Sequence, residues 1–157
     1  MKYKLIRKLK SLLSSLNSIH ESAQLDSTTT VLGSKIGCNS KIGSNTKISN
    51  SIIQGKLISI GSSNYIKDSF INQEFSSEEN CKIFGSHLDG NIKIGRFSSL
   101  WGPNLDIITG KQNVIIGNFC SIANDVHFIC DSGYHGESKI TSFPLFHEIL
   151  DKEDEVL

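Results

Sequence analysis

Apolar residues return at every sixth position over much of the chain, with a small residue following closely: Ile36-Gly37-x-x-Ser40-x, Ile42-Gly43-x-x-Thr46-x, Ile48-Ser49-x-x-Ile52-x. After Gly55 the same phase resumes at Ile60-Gly61-x-x-Asn64-x and Ile66-Lys67-x-x-Phe70-x. An amphipathic helix repeats every 3.6 residues and a half-buried strand every 2, so neither explains a period of six. Hexapeptide repeats build a parallel β-helix, in which like residues stack over like at about 4.8 Å. The pattern therefore predicts an all-β solenoid over residues 25–130. The aliphatic residues line its interior, and the glycine after each supplies the bend.

Two stretches break the rhythm and are expected to leave the coil as polar excursions, near 72–82 (around Asn72 to Asn80) and 102–113 (Gly102-Pro103-Asn104 to Asn113). Coils return at Leu88, Ile94-Gly95, Leu100 and again from Ile116. Ahead of the repeats, Leu5, Leu9, Leu12, Leu16 and Ile19 alternate at four and three, beside Lys2, Lys4, Arg7, Lys8 and Lys10. This predicts a short amphipathic helix over residues 1–22, which caps the solenoid or packs on a sister subunit. Its basic face also suits weak contact with a membrane surface.

Composition narrows the function classes. The chain has 157 residues, with 16 Lys plus Arg and 16 Asp plus Glu, so no global charge points to nucleic acid. Cys38, Cys81, Cys120 and Cys130 include no CxxC pair, and two of them fall in apolar rungs, which favours reduced thiols and a cytoplasmic setting. No apolar run approaches the roughly 20 residues that cross a bilayer.

Candidate chemistry concentrates in Ile116 to Phe146, IGNFCSIANDVHFICDSGYHGESKITSFPLF. Rungs at Ile116, Ile122 and Phe128 give way to a Gly, Ser and His-bearing segment, residues 131–150, read as a protruding loop. The IGNFCSIA run, the loop histidine His135 and the closing SFPLF together resemble the hexapeptide-repeat acyltransferases, and within them the xenobiotic and surface-polysaccharide O-acetyltransferases. The likeness spans roughly residues 25–147. It implies a left-handed β-helix, a homotrimer, acetyl-CoA as co-substrate without a metal, and transfer to a hydroxyl of a saccharide or related acceptor in surface-polysaccharide modification. It also implies His135 as general base, with Tyr134 where the family usually has Asn. An imidazole suits that task, because it can take the proton of a weakly nucleophilic hydroxyl near neutral pH.

Tyr134 and Trp101 could stack on a sugar face, or simply pack. His127 reads as a structural or edge residue beside Phe128, His147 as solvated, and His20 and His87 carry no signal. Cys120 reads as core. The family continues past the loop with further coils along which coenzyme A lies, so the acidic tail 151–157 is expected to be a truncation point. Rungs from Ile94 to Phe128 would then supply only the near part of a cofactor cleft. Two other readings remain: a catalytically incomplete β-helix fragment serving as a scaffold, and a metal-dependent hydratase resembling the gamma-type carbonic anhydrases. The second needs three converging imidazoles, which the spacing of His87, His127 and His135 does not offer.

Overall fold

The computed structural model describes residues 16–130, which wind into an all-β parallel solenoid of about seven turns with no helix. Its strands stack in three columns, and every pair of neighbours is parallel. The first wall holds β1 (Ser18–Ile19), β4 (Lys35–Ile36), β7 (Ile52–Ile53), the start of β10 (Phe70–Ser77), the middles of β11 (Lys82–Ile94) and β12 (Ser99–Ile116), and β14 (His127–Ile129). The second wall is β2 (Gln24–Leu25), β5 (Lys41–Ile42), β8 (Leu57–Ile60) and the ends of β10, β11 and β12. The third is β3 (Thr30–Leu32), β6 (Lys47–Ser49), β9 (Tyr65–Lys67), the starts of β11 and β12, and β13 (Ser121–Ile122).

The first and third walls each turn one aliphatic column inward, and the second turns two, through Ile42, Ile60 and Ile94 and through Ile58, Phe75 and Ile92. Ile36, Ile53, Ile71, Leu88 and Ile107 stack in the first, Ile48, Ile66, Ile83 and Leu100 in the third, all essentially sealed from solvent. Burying each such side chain contributes about 1.5–3 kcal/mol, an upper bound set by the extended-chain reference.

The small residue that closes each repeat is also buried, and its polar atoms are tied to the neighbouring coil. Ser34, Ser51, Ser69 and Ser86 form a ladder in which each hydroxyl accepts from the next serine's backbone N–H, at 3.1, 3.1 and 3.2 Å. Each of these hydroxyls also donates to the carbonyl two residues earlier, within 2.8–3.0 Å. Among the described residues no buried side-chain N or O lacks a partner, as a low-dielectric interior requires.

Several sequence expectations are corrected. Residues 16–22 are not helical: Ser18–Ile19 pair with Lys35–Ile36, so the solenoid starts before residue 25. The rest of the expected helix, residues 1–15, lies outside the described residues. Ile52 and Phe70 are not inward; Ile53 and Ile71 are, because the turns at Asn50 and Asp68 are one residue shorter than the others. One corner therefore steps by five, and the coils there hold 17 or 18 residues.

The two expected excursions stay on the wall. Asn72 to Ser77 pair residue for residue with Asp89 to Ile94, pointing Phe75 and Ser77 inward and Asn72, Gln73, Glu74 and Ser76 out. Residues 102–113 belong to β12, which bulges twice: residues 102–104 face Gly85 alone, and 109–112 face Gly90 alone. Turn-forming residues are absorbed as bulges because Leu105, Ile107 and Thr109 still point inward.

The glycine after each aliphatic residue has a different cause from the one expected. Gly37, Gly43, Gly61, Gly95 and Gly117 are absent from the positive-φ positions, and the left-handed bend falls later, at Asn39, Asn45, Ser63, Phe97 and Phe119. What a side chain would meet at Gly61 is the Glu78 carbonyl carbon at 2.7 Å, and at Gly43 the Gly61 carbonyl carbon at 2.8 Å. Close approach of stacked coils selects glycine there. Asn tolerates the left-handed bend, whereas Phe97 and Phe119 occupy it at the cost expected for bulky residues and stack their rings 5.3 Å apart.

Candidate functional site

On the first wall, inward positions alternate with outward ones, so the residues preceding Ile71, Leu88, Ile107 and Phe128 stack outside. They are Phe70, His87, Asp106 and His127, in direct register on four consecutive coils. Asp106 thus stands between two imidazoles. His127 Nδ1 lies 2.8 Å from Asp106 Oδ2, and His87 Nδ1 lies 3.6 Å from Asp106 Oδ1. The His87 ring meets Phe70 edge-on at 5.2 Å.

A carboxylate can only accept, so the short contact fixes the proton of neutral His127 on Nδ1 and leaves the lone pair on Nε2. Which nitrogen holds the proton follows here from the partner's chemistry. At 3.6 Å the His87 contact is a charge contact beyond hydrogen-bond range. All three side chains are partly open to solvent, 44% for His87, 32% for Asp106 and 50% for His127.

The column borders an open groove of about 420 Å³ lined by Asp68, Phe70, Gly85, Ser86, His87, Asn104, Asp106, Asp125 and His127. Its far side is the corner where the chain turns left-handed at Asp68, Gly85, Asn104 and Asp125. Asn50 Nδ2 donates to Asp68 Oδ1 at 3.2 Å, and Asn104 Nδ2 donates to Asp125 Oδ1 at 3.0 Å. These bonds hold the corner side chains in place. The lining carries three carboxylates and two imidazoles and no Lys or Arg. A hydroxyl-bearing or cationic group suits it better than a phosphate or carboxylate.

Sequence-predicted residues fall in different places. Trp101 sits outward on the third wall, 45% exposed, in an aromatic strip rather than among the groove residues: its ring lies 4.6 Å from Phe84, and Phe84 meets Tyr65 edge-on at 5.0 Å. His135 and Tyr134 lie outside the described residues, as do His147 and the tail 151–157. The described chain reaches Cys130, directly after the strand that carries His127. His87, His127 and Asp106 are the residues sequence reasoning missed as a group. Cys120 is only half-buried, at the solenoid interior, and its Sγ lies 3.7 Å from the Asn118 carbonyl.

Among the described residues no group of three or more His, Cys, Asp or Glu is placed to hold a metal ion. Among them, too, no helix is long and apolar enough to cross a membrane.

No family model and no curated protein matches the chain. Among solved structures it is similar to the acetyltransferase domain of PglB from Neisseria gonorrhoeae FA1090, with 15% identity over 82% of this chain and 58% of that one and a TM-score of 0.36. A second structure of that domain, in complex with acetyl coenzyme A, matches at 15% identity over 79% of this chain and 62% of that one, with a TM-score of 0.29. The chain thus aligns with less than two thirds of the length of either.

Proposed function

We propose that the chain transfers an acetyl group from acetyl-CoA to a hydroxyl of a saccharide or related small acceptor. The observation that carries this reading is the groove: a carboxylate-held imidazole faces open space on the wall whose last described strand leads into the segment bearing His135. The resemblance of IGNFCSIA and SFPLF to hexapeptide-repeat O-acetyltransferases supplies the reaction class, and gives His135 the role of general base.

The same resemblance extends the proposal to a left-handed coil, a homotrimer and surface-polysaccharide modification, and the cysteine pattern extends it to a cytoplasmic setting. Trp101 and Tyr134 are proposed to stack on the acceptor, consistent with the exposed ring of Trp101. The basic segment before residue 16 is proposed to touch a membrane surface weakly.

The test is transfer of label from acetyl-CoA to a mixture of glucose, galactose and N-acetylglucosamine, by the full chain and by His135→Ala. A loss of about 10² in rate for the variant is expected of a general base. Equal rates would remove His135 from the mechanism, and no transfer by the unaltered chain would overturn the reading.

A further inference from the structure

Two walls of the solenoid carry opposite charge. The groove on the first wall is lined by three carboxylates and no Lys or Arg, whereas the described strands of the third wall carry Lys47, Lys67 and Lys82 and no Asp or Glu. We infer that the third wall binds an acidic saccharide, a chain of uronate units whose ring faces rest on Tyr65, Phe84 and Trp101 and whose carboxylates meet the three lysines. The choice of a saccharide rests on the acetyl-transfer reading; the charge and the rings are read from the wall itself.

Register makes the wall a grid. Lys47, Tyr65 and Lys82 stack in one outward column, and Lys67, Phe84 and Trp101 stack in the next. Neighbours in a column are about 4.8 Å apart, and the two outward residues of one strand are roughly 7 Å apart. Strands β9 and β11 therefore each set a ring beside an ammonium, Tyr65 with Lys67 and Lys82 with Phe84, and the order reverses between them. The rings meet diagonally, with centroids 5.0 Å apart for Tyr65 and Phe84 and 4.6 Å for Phe84 and Trp101, so one strip crosses three coils. Tyr65 and Trp101 remain 39% and 45% exposed. Among the described residues Lys47 and Lys82 are in no ion pair, and Lys67 reaches Asp68 at 3.6 Å.

A repeating ligand with an apolar face and a charged edge on each unit fits that alternation. A pyranose offers C–H groups on its face for an aromatic ring to cover. A uronate adds one carboxylate at the edge, where an ammonium can meet it. A second protein, a sister copy included, fits less well, because lysine is depleted from protein interfaces. Single-stranded nucleic acid also stacks on rings and pairs with lysines, but 16 basic and 16 acidic residues give the chain no wider positive field to draw it in.

Trp101 is the chain's one tryptophan, so its fluorescence reports from this wall. The full chain is titrated with oligogalacturonate, oligomannuronate, maltoheptaose and oligothymidylate. Both oligouronates are expected to change the fluorescence saturably and to bind about tenfold more tightly than neutral maltoheptaose. Replacing the lysines together, as Lys47→Gln, Lys67→Gln and Lys82→Gln, is expected to weaken oligouronate binding about tenfold and leave maltoheptaose binding unchanged. Circular dichroism checks that this variant folds, and raising the salt on the unaltered chain, which should weaken the oligouronates alone, needs no variant. No response to either oligouronate would overturn the inference, as would tighter binding of maltoheptaose or oligothymidylate, or an oligouronate affinity that neither salt nor the lysine changes move. Oligouronate binding by a chain that transfers no acetyl group would overturn the acetyl-transfer reading alone, and transfer without oligouronate binding would overturn this inference alone.

Discussion

Asn64 donates through Nδ2 to Ser77 Oγ at 3.0 Å inside the solenoid, where every neighbouring position in the Ser77 column is isoleucine. The same nitrogen lies within range of the carbonyls of Gly61 and Glu78, at 3.1 and 2.9 Å, so its two N–H groups are shared among three acceptors, and the amide oxygen accepts the backbone N–H of Cys81. One side chain thus satisfies polar groups on two coils. Asn64→Ala strands the Cys81 N–H and weakens the Ser77 hydroxyl's surroundings, at about 1–3 kcal/mol for each buried group left unpaired. Ser77→Val combined with Asn64→Ala should recover part of that loss, since the two sites share a bond. Urea unfolding of the four proteins of this cycle measures the coupling; strict additivity would show that the bond does not stabilise the core.

Glycine and asparagine do separate work in each turn, and substitution tells them apart. At Gly61 a Cβ would sit 2.7 Å from the carbonyl carbon and oxygen of Glu78, and backbone on the next coil cannot rotate away. Gly61→Ala is therefore expected to destabilise by about 1–3 kcal/mol, the range for overpacking. Asn45, exposed and at φ 56°, carries the bend. There Asn45→Gly is expected to be nearly neutral and Asn45→Ala to cost about 1–2 kcal/mol. Melting temperatures of the three variants check both halves; a neutral Gly61→Ala would return the glycine to the role of bend-former.

How far the sequence could be read follows from what sets each feature. The columns through Ile36, Ile42, Ile48, Ile60, Ile66, Ile94 and Leu100 were legible, because inward stacking imposes the same residue type at the same phase. Ile52 lies six residues after Thr46 and so fits the repeat, but the tight turn at Asn50 shortens that corner to five, which puts Ser51 in the place of Thr46 and Ile53 in the column of Ile48. Phe75 was hidden in a stretch of polar residues, most of which face outward. His87, Asp106 and His127 could not be aligned at all: they are nineteen and twenty-one residues apart, against seventeen from Phe70 to His87. The two bulges of β12 lengthen that coil, and a bulge leaves no periodic signal. The amphipathic spacing through Leu16 and Ile19 fitted a helix, but Ser18 and Ile19 hydrogen-bond to the first full coil, and edge pairing overrides local periodicity.

Binding of the co-substrate separates a transferase from a scaffold without any assay of turnover. A ligand that binds only the folded chain stabilises it by mass action, by about 2.7 kcal/mol at 100 times its Kd. Thermal unfolding with rising coenzyme A is expected to shift upward and saturate. No shift up to millimolar coenzyme A would favour a scaffold over a transferase.

Cys81 is wholly buried, with Sγ 3.2 Å from the Gly95 carbonyl, whereas Cys38 and Cys130 are exposed. Burial pushes the Cys81 thiol above its ordinary value, and the charges of Glu78 and Glu79 add to the effect, against opposing hydrogen bonds from the Ser98 and Phe97 backbone. Two consequences follow. Iodoacetamide should label Cys38 and Cys130 in the native protein and reach Cys81 only on unfolding, because the thiolate is the reactive form. The folded state also holds this proton more tightly than the unfolded state does. The resulting stability is fully present below the unfolded thiol's value and is lost as pH rises through the higher folded one. Cys81→Ser removes the titrating group at nearly the same size, so the difference in unfolding free energy between the parent and this variant should shrink steadily through the alkaline range. A difference that stays flat from neutral pH to strongly alkaline pH would mean that the buried thiol does not contribute to the pH dependence of folding.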